Sequence, residues 1–594
     1  MASANGRGKV IPGFLISDQK KSIEHGVDYE DMIQESLRIN DWFVSRRTYK
    51  RFLGDKTLYC DDDCCIVLEG VILNKKELLG QYHVDSIEIL VKEMYRQEGE
   101  NFFRAFRGSF SGAYYNVASS SWVVWTNHYG NNAVFYSIVN GHFSIGSNFW
   151  DVLKTIRSHS SISLNERAVI SMLSYGGMND DLTYVNEVKR LLPGSYLHIS
   201  ASGECSIKEY WHFSHSAFDL SCATEDELIS ELDARFRHAV DRQFGKDEEY
   251  GFRHLAELSG GLDSRMITWI ARDLGYSNIT NITFCQAGYI DENVAEEIAT
   301  DLGNQMMFMP MDDATFLRDI EGIVRLNFGL TVYSGTTGLK RFLDNINIDD
   351  FGLIHSGTLG DAVASSYLHD PSELGDVHVG GLYSPYYSEC AREITDLSMY
   401  DDQEEYLMRT RGFLTIATSD LVRRGYSDVA SPFLDIDFFE YCMSIPLKYR
   451  CNHLIYKKWV CSKYPAAAKY VWEKQGTPLT AGRLRVWLTT KWQTLHAIGV
   501  KGAAQAVLYR LGIGGSAHFA PTIVGGMNPI DLWFKVHPEL KSFYDDCFER
   551  GVSAVKLSNR VFEMLIDMYK NGTYLEKSLT LTALHAIRKI FIDE

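Results

Sequence analysis

No stretch of the sequence approaches the about 18 uninterrupted apolar residues that a membrane-spanning helix needs, so a span is excluded. The opening residues, Met1 to Arg7, are small and polar. They lack the apolar core of roughly 7–15 residues that marks a secretory leader. Basic charge is scarce: Lys plus Arg number 59 against 77 for Asp plus Glu, a formal charge of −18. That argues against a nucleic-acid binder with a basic face, while leaving room for a local phosphate pocket. The 11 cysteines are an odd number without paired spacing. Cys60, Cys64 and Cys65 surround Asp61–Asp63, but a metal reading needs a second ligand cluster. They read instead as small buried hydrophobes at the start of a strand. Free thiols favour a reducing compartment, so the cytoplasm is expected. Internal repeats, low-complexity tracts and a strong linker are absent too.

What is present is ordinary material for large cores: 45% hydrophobic and 23% charged residues in a chain of 594. Residues 1–210 read as a β-rich unit. Short runs such as Phe14–Ile16, Cys65–Leu73, Phe110–Tyr115, Trp122–Trp125, Ala133–Ile138, Phe143–Ile145 and Tyr196–Ile199 alternate with turn signals. Helical patterns at Asp85–Gln97 and Asn165–Leu173 interrupt them, which predicts an α+β sandwich. A second unit, 224–594, opens with a capping box at Thr224 and Glu227 and a long helix. Strand runs then recur at α/β spacing: Arg253–Leu258, Asn281–Cys285, Met306–Met309 and Gly352–His355, with helices Arg265–Leu274 and Glu292–Leu302 between them. That spacing predicts a doubly wound parallel sheet. Beyond about 400 the pattern is mainly helical.

The sharpest motif is Ser259-Gly260-Gly261-Leu262-Asp263-Ser264, between an apolar strand ending at Leu258 and an amphipathic helix. It reads as an anion cradle. Glycines allow a tight turn that brings N–H groups against phosphate oxygens, Ser259 and Ser264 add hydroxyls, and the helix N-terminus adds its positive end. A carboxylate beside a phosphate makes sense if Asp263 holds Mg²⁺. A second loop, His355-Ser356-Gly357-Thr358-Leu359-Gly360-Asp361, ends the fourth strand and supplies another aspartate where an open α/β sheet puts its ligand.

The first motif resembles the pyrophosphate loop of the N-type ATP pyrophosphatases. The second resembles the Ser-Gly-x-Gly-x-Asp loop of the asparagine synthetase family, and Ser431-Pro432-Phe433-Leu434-Asp435 resembles that family's Pro-Phe-Leu-Asp segment. Trp472-Glu473-Lys474-Gln475-Gly476-Thr477-Pro478 resembles its late loop. The resemblance implies ATP and Mg²⁺ as cofactors. It assigns ATP or pyrophosphate to Leu258, Ser259, Gly260, Gly261, Leu262, Asp263, Ser264, Ser356 and Gly357, and metal to Asp263 and Asp361. Phe284 would lie in the strand that helps hold adenine. Lys474 would be catalytic, steadying charge on the reacting acyl phosphate; the alternative is one of many solvated lysines. Glu69-Gly70-Val71-Ile72-Leu73-Asn74, Gly108-Ser109-Phe110-Ser111-Gly112, Asn127-His128-Tyr129-Gly130 and Leu192-Pro193-Gly194 resemble segments of the family's glutaminase domain, an N-terminal-nucleophile sandwich.

The departures are as informative. A glutaminase of this class needs cysteine directly after the initiator Met, and position 2 is Ala2. Glu69 stands where the glutamine-holding Asn is usual, and Val84-Asp85 replaces Gly-Ser-Asp. The first domain is therefore expected to be an inactive glutaminase relic. The expected reaction is that of an ATP-dependent, AMP-forming ligase joining a carboxylate to ammonia or an amine, with no glutaminase of its own. That places it with the glutaminase-deficient branch that includes β-lactam synthetase, the lasso-peptide cyclases and polysaccharide-cluster homologues. Thr358, where the β-lactam enzymes are expected to have a basic Tyr, has a hydroxyl of too high a pKa to serve as base. The alternative is a non-catalytic binding or regulatory protein that kept the fold. The expected partners are a small-molecule or peptide carboxylate and an amine donor, with no nucleic acid and no membrane; a homodimer is possible. Arg265, directly after the loop, has no explanation at this level.

Overall fold

The computed structural model describes residues 10–19, 32–482, 484–489, 491 and 527–593. The strand Cys64–Ile72 is buried along its whole length, because both of its faces are covered. Successive side chains of a strand point to opposite faces. Cys65 and Val67 therefore pack with Phe14, Val44 and Trp122 between two six-stranded sheets. Ile66, Leu68 and Ile72 pack outward with Leu90 and Met94 of the helix Ile87–Glu98. Behind the other sheet, Leu15 and Phe135 pack under the helices Phe149–Arg157 and Glu166–Tyr175. Helix, sheet, sheet and helix thus form four layers, the sandwich that the resemblance implies. Ala2 lies outside the described residues.

One expectation is corrected here. Cys60 and Cys65 are joined in a disulfide. They face each other across the antiparallel strands Thr57–Cys60 and Cys64–Ile72. Directly opposed residues bring their Cβ atoms to about 4.5–5.5 Å, so a tight turn over Asp61–Asp63 pairs cysteines that the spacing alone left single. Cys64, which points to the other face, stays free and buried.

The second half builds a five-stranded parallel sheet in the order Gln305–Pro310, Ile279–Cys285, Arg253–Glu257, Phe351–His355, Val429–Ala430. The chain begins in the middle, steps outward twice, and crosses back to the other side. The carboxyl ends of Arg253–Glu257 and Phe351–His355 flank the point where the order reverses, which is where such sheets form a crevice. The helix Glu225–Tyr250 carries the expected capping box of Thr224 and Glu227. Near its far end the buried Asp247 accepts hydrogen bonds from His254 Nδ1 (2.9 Å), His355 Nε2 (2.7 Å) and the Leu353 N–H (2.7 Å). One carboxylate thereby locks the two strands that carry the loops. Burial pushes the His355 pKa down, against the pull of Asp247. Among the described residues no helix is long and apolar enough to cross a membrane.

Asp247→Ala is expected to lower stability by about 3–5 kcal/mol, because it leaves buried donors without their acceptor. Denaturant unfolding of the variant checks this; a loss under about 1 kcal/mol would remove Asp247 from the lock.

Candidate functional site

The helix Leu262–Asp273 starts inside the glycine-rich motif. Leu258 anchors one side of the turn against Val294 and Ala295, and Leu262 anchors the other in the core. Both hold backbone in place rather than presenting chemistry. The Ser259 N–H donates to Ser264 Oγ at 3.0 Å, the two hydroxyls lie 3.1 Å apart, and the Gly261 N–H donates to Ser259 Oγ at 3.2 Å. The Gly260 N–H donates to Asp291 Oδ1 at 2.8 Å. This differs from the cradle expected of the motif: the first glycine faces a carboxylate. Burial pushes the Asp291 pKa up to about 6. A Cβ on Gly260 would lie 2.7 Å from that oxygen and 3.0 Å from Glu473 Cβ, so the position admits no side chain.

The second loop closes on the first. The Asp361 N–H donates to Asp263 Oδ2 at 3.0 Å, and Tyr456 donates its hydroxyl to Asp263 Oδ1 at 2.8 Å. A Cβ on Gly360 would be 2.4 Å from Asp263 Cγ, and one on Gly357 would be 3.0 Å from Asp263 Cβ. Burial and the neighbouring Asp361 charge push the Asp263 pKa up to about 8, with Lys474 pulling the other way. Two adjacent carboxylates with hydroxyl neighbours are a hard oxygen donor set of the kind that suits Mg²⁺. Their mutual repulsion is what a divalent cation relieves. The residues present therefore fit the metal.

Ser356 turns away from the carboxylate pair. Its hydroxyl donates to Glu257 Oε2 at 3.1 Å and lies 2.9 Å from Thr358 Oγ1. Arg423 grips Glu257 with two bonds of 2.8 and 2.9 Å and reaches Asp420 at 3.2 Å. Asn131 of the sandwich donates to the same Asp420 at 3.1 Å. This buried network ties the second loop to the first domain. Sequence reading missed Glu257, Arg423, Asp420 and Asn131, because no short motif joins residues so far apart in the chain.

Lys474 sits in the turn between the short strands Val471–Trp472 and Thr477–Pro478. Its Nζ is 2.7 Å from His453 Nε2. Burial first, then the charges of Lys474 and Lys457, push the His453 pKa down to about 4. The imidazole is thus a neutral acceptor for the ammonium at physiological pH. Arg265 now has an explanation. Its buried guanidinium donates to the carbonyls of Gly260 (3.0 Å), Val471 (2.7 Å), Ala467 (3.2 Å) and Tyr470 (3.4 Å). It staples the Lys474 turn to the glycine loop, and Glu473 N–H adds a bond to Gly260 O at 3.1 Å. Asp263, Asp361 and Lys474 are therefore brought together. Phe284 packs against Gly338 and near Phe342.

In the sandwich, Glu69 is fully buried and accepts from Thr48 Oγ1 at 2.9 Å. Burial pushes its pKa up, opposed by Lys56 and Arg46.

Residues 54–211 match the family described as glutamine amidotransferase domain, and residues 231–414 match asparagine synthase. The chain has the architecture of the asparagine synthetase family. The second match spans both aspartate loops and belongs to a family of ATP-dependent amidating ligases. No curated protein matches the chain. Solved structures similar to parts of it include a glutamine phosphoribosylpyrophosphate amidotransferase from B. subtilis complexed with ADP and GMP, at 10% identity over 53% of this chain and 86% of that one, TM-score 0.23. Another is described as the allosteric regulatory enzyme of purine biosynthesis, at 8% identity over 50% and 75%, TM-score 0.23. A third is a glutamine aminotransferase class-II domain protein from Silicibacter pomeroyi, at 11% identity over 34% and 97%, TM-score 0.16.

Two outcomes are expected at this site. Arg265→Met removes donors from buried carbonyls at about 1–3 kcal/mol for each one left unsatisfied. Hydrogen exchange at residues 471–478 should quicken at least tenfold; unchanged protection would refute the staple. His453 has a folded pKa near 4 against an ordinary 6.5. The unfolded chain therefore takes up its proton first, and this residue's contribution is present above about pH 6.5 and lost as the pH falls toward 4. His453→Gln should flatten the melting-temperature profile in that window, as a pH series of thermal melts would show.

Proposed function

We propose that this protein is an AMP-forming amide ligase that activates a carboxylic acid with ATP and passes it to ammonia or an amine, without a glutaminase of its own. The observation that carries this reading is the meeting of Asp263 and Asp361 within one hydrogen bond, with Lys474 stapled beside them. A protein that had kept only the fold would have no use for a buried carboxylate, Asp263, held beside the charge of a second, Asp361. That weighs against the non-catalytic alternative.

Asp263 and Asp361 would hold Mg²⁺, which would supply positive charge to the triphosphate. The free N–H groups of the first turn of Leu262–Asp273 and the hydroxyls of Ser259 and Ser264 would hold pyrophosphate. Gly260 would exchange its bond to Asp291 for one to a phosphate oxygen. A carboxylate oxygen of the acid attacks the α-phosphorus, the bond to the bridging oxygen breaks, and pyrophosphate leaves with that electron pair. Lys474, protonated and held by His453, faces the negative charge of the acyl phosphate and stabilises it as it grows. The amine nitrogen then attacks the acyl carbon and AMP departs. Thr358, bonded to Ser356 and Asp420, orients that loop and does not act as base.

Loss of glutaminase activity is supported by Glu69. Glu69 stands in the segment where the family carries its glutamine-holding Asn, and a carboxylate has no N–H to donate as that amide does. Ammonia or an amine on the acceptor is then the nitrogen source.

Asp263→Asn is expected to lower AMP formation at least a thousandfold, about 4 kcal/mol of transition-state stabilisation, with an unchanged melting temperature. Turnover with Mg²⁺ and a panel of acids should release AMP and pyrophosphate with ammonia and none with glutamine. ADP as product, or normal turnover by the variant, would overturn the reading.

A further inference from the structure

A cavity of about 540 Å³ opens from Asp361 and Lys474 on the side away from the glycine loop, and none of residues 258–264 lines it. Clefts of about 300–1,000 Å³ take ligands well beyond amino-acid size. Its walls bring together three cations: Lys474, Lys457 and Arg411. In a chain with a formal charge of −18 this is a local inversion of sign.

None of the three cations has a carboxylate ion-pair partner among the described residues. Lys474 meets His453, Lys457 donates to the Asn452 carbonyl at 3.2 Å, and Arg411 to the Gly381 carbonyl at 3.4 Å. Buried Arg423 and Arg450 find carboxylates, whereas Arg411 and Lys474 are exposed and Lys457 is half-buried. Asp361 is the one carboxylate among the lining residues, so the cations are in excess, and an anion in the cavity relieves their mutual repulsion. Burial and the charge of Lys474 accordingly push the Lys457 pKa down.

The backbone that delivers these groups is irregular. Arg411 rides on the π-helical segment Met408–Ile416, a geometry that is rare and frequent at functional sites. Asn452 and His453, just before the helix bearing Lys457, both adopt left-handed conformations, with φ of 56° and 60°. Backbone of this kind persists only where the surrounding structure over-determines it. Trp472 lies under Lys457 at 5.3 Å and Tyr367 under Arg411 at 5.8 Å. The cations are thus fixed over aromatic faces and present their remaining donors to the cavity.

We propose that this cavity is the acid-substrate subsite, and that the acid carries, besides the carboxylate to be activated, a further anionic group on a body larger than an amino acid. Lys474 serves the reacting carboxylate at the mouth of the cavity, while Arg411 and Lys457 take the second anion. The assignment rests on the ligase reading above, since that reading places the reaction at Asp361 and Lys474.

Calorimetric titration of the full chain with 6-phosphogluconate, glucuronate and aspartate tests it. The first is a carboxylate with a phosphate, the second a ring-sized acid with one charge, the third a small dicarboxylate that also carries an ammonium. Expected is at least tenfold tighter binding of 6-phosphogluconate than of the other two. Arg411→Ala and Lys457→Ala should each weaken it at least tenfold and leave Mg·ATP affinity within twofold, which also reports that the variants are folded. Aspartate binding as tightly as 6-phosphogluconate, no measurable binding of 6-phosphogluconate, or equal loss of ATP and acid affinity in the variants would overturn the subsite. Failure of the ligase reading looks different: the variants respond as expected, yet no acid on the panel yields AMP with ammonia.

Discussion

Parallel pairing of two strands forces two carboxylates together, and much of the second half is arranged around that pressure. Arg253–Glu257 and Phe351–His355 lie side by side with their carboxyl ends level, so the loops that leave them cannot avoid each other. Asp263 and Asp361 end up joined through a backbone N–H, one of them buried. A sheet that places like charges there needs a rigid frame. Asp247 locks the strands from below, and Glu257, Arg423 and Asp420 lock the loops at the side.

The late turn answers the same constraint from the opposite face. Lys474 lies more than 200 residues beyond Asp263 in the chain. Its approach depends on Arg265, whose planar guanidinium is suited to bonding several carbonyls at once in a way that lysine is not. The residue directly after the loop motif therefore serves the loop's distant partner. The sandwich is drawn in by Asn131, which shares Asp420 with Arg423. Its own interior holds a buried glutamate, Glu69, bonded to Thr48.

Legibility in the sequence followed burial and period. Strands buried over most or all of their length, such as Cys64–Ile72, Gly108–Asn116 and Ser121–Thr126, were readable from their apolar runs. Met32–Ile39 was not, because it is partly exposed and polar, nor was Trp42–Tyr49, whose Ser45, Arg46, Arg47 and Thr48 interrupt any apolar run although none of its residues is exposed. The two-residue strand Val429–Ala430 is too short to leave a period at all. Both aspartate loops were readable because glycines and carboxylates at strand ends form short, local patterns.

By itself, then, the sequence determined the local chemistry: an apolar strand, a glycine turn, a carboxylate, a helix, and the same again a hundred residues on. It also determined the sandwich and the parallel sheet, since alternation and α/β spacing are written within short windows. Only the tertiary structure decided which of these pieces meet. It paired Cys60 with Cys65, turned Gly260 toward Asp291, and gathered Arg411, Lys457 and Lys474 around one cavity. The reason is physical. Strand and helix periods are set by neighbours a few residues apart, whereas the contacts of a site depend on strand order and on buried side chains that bridge hundreds of residues.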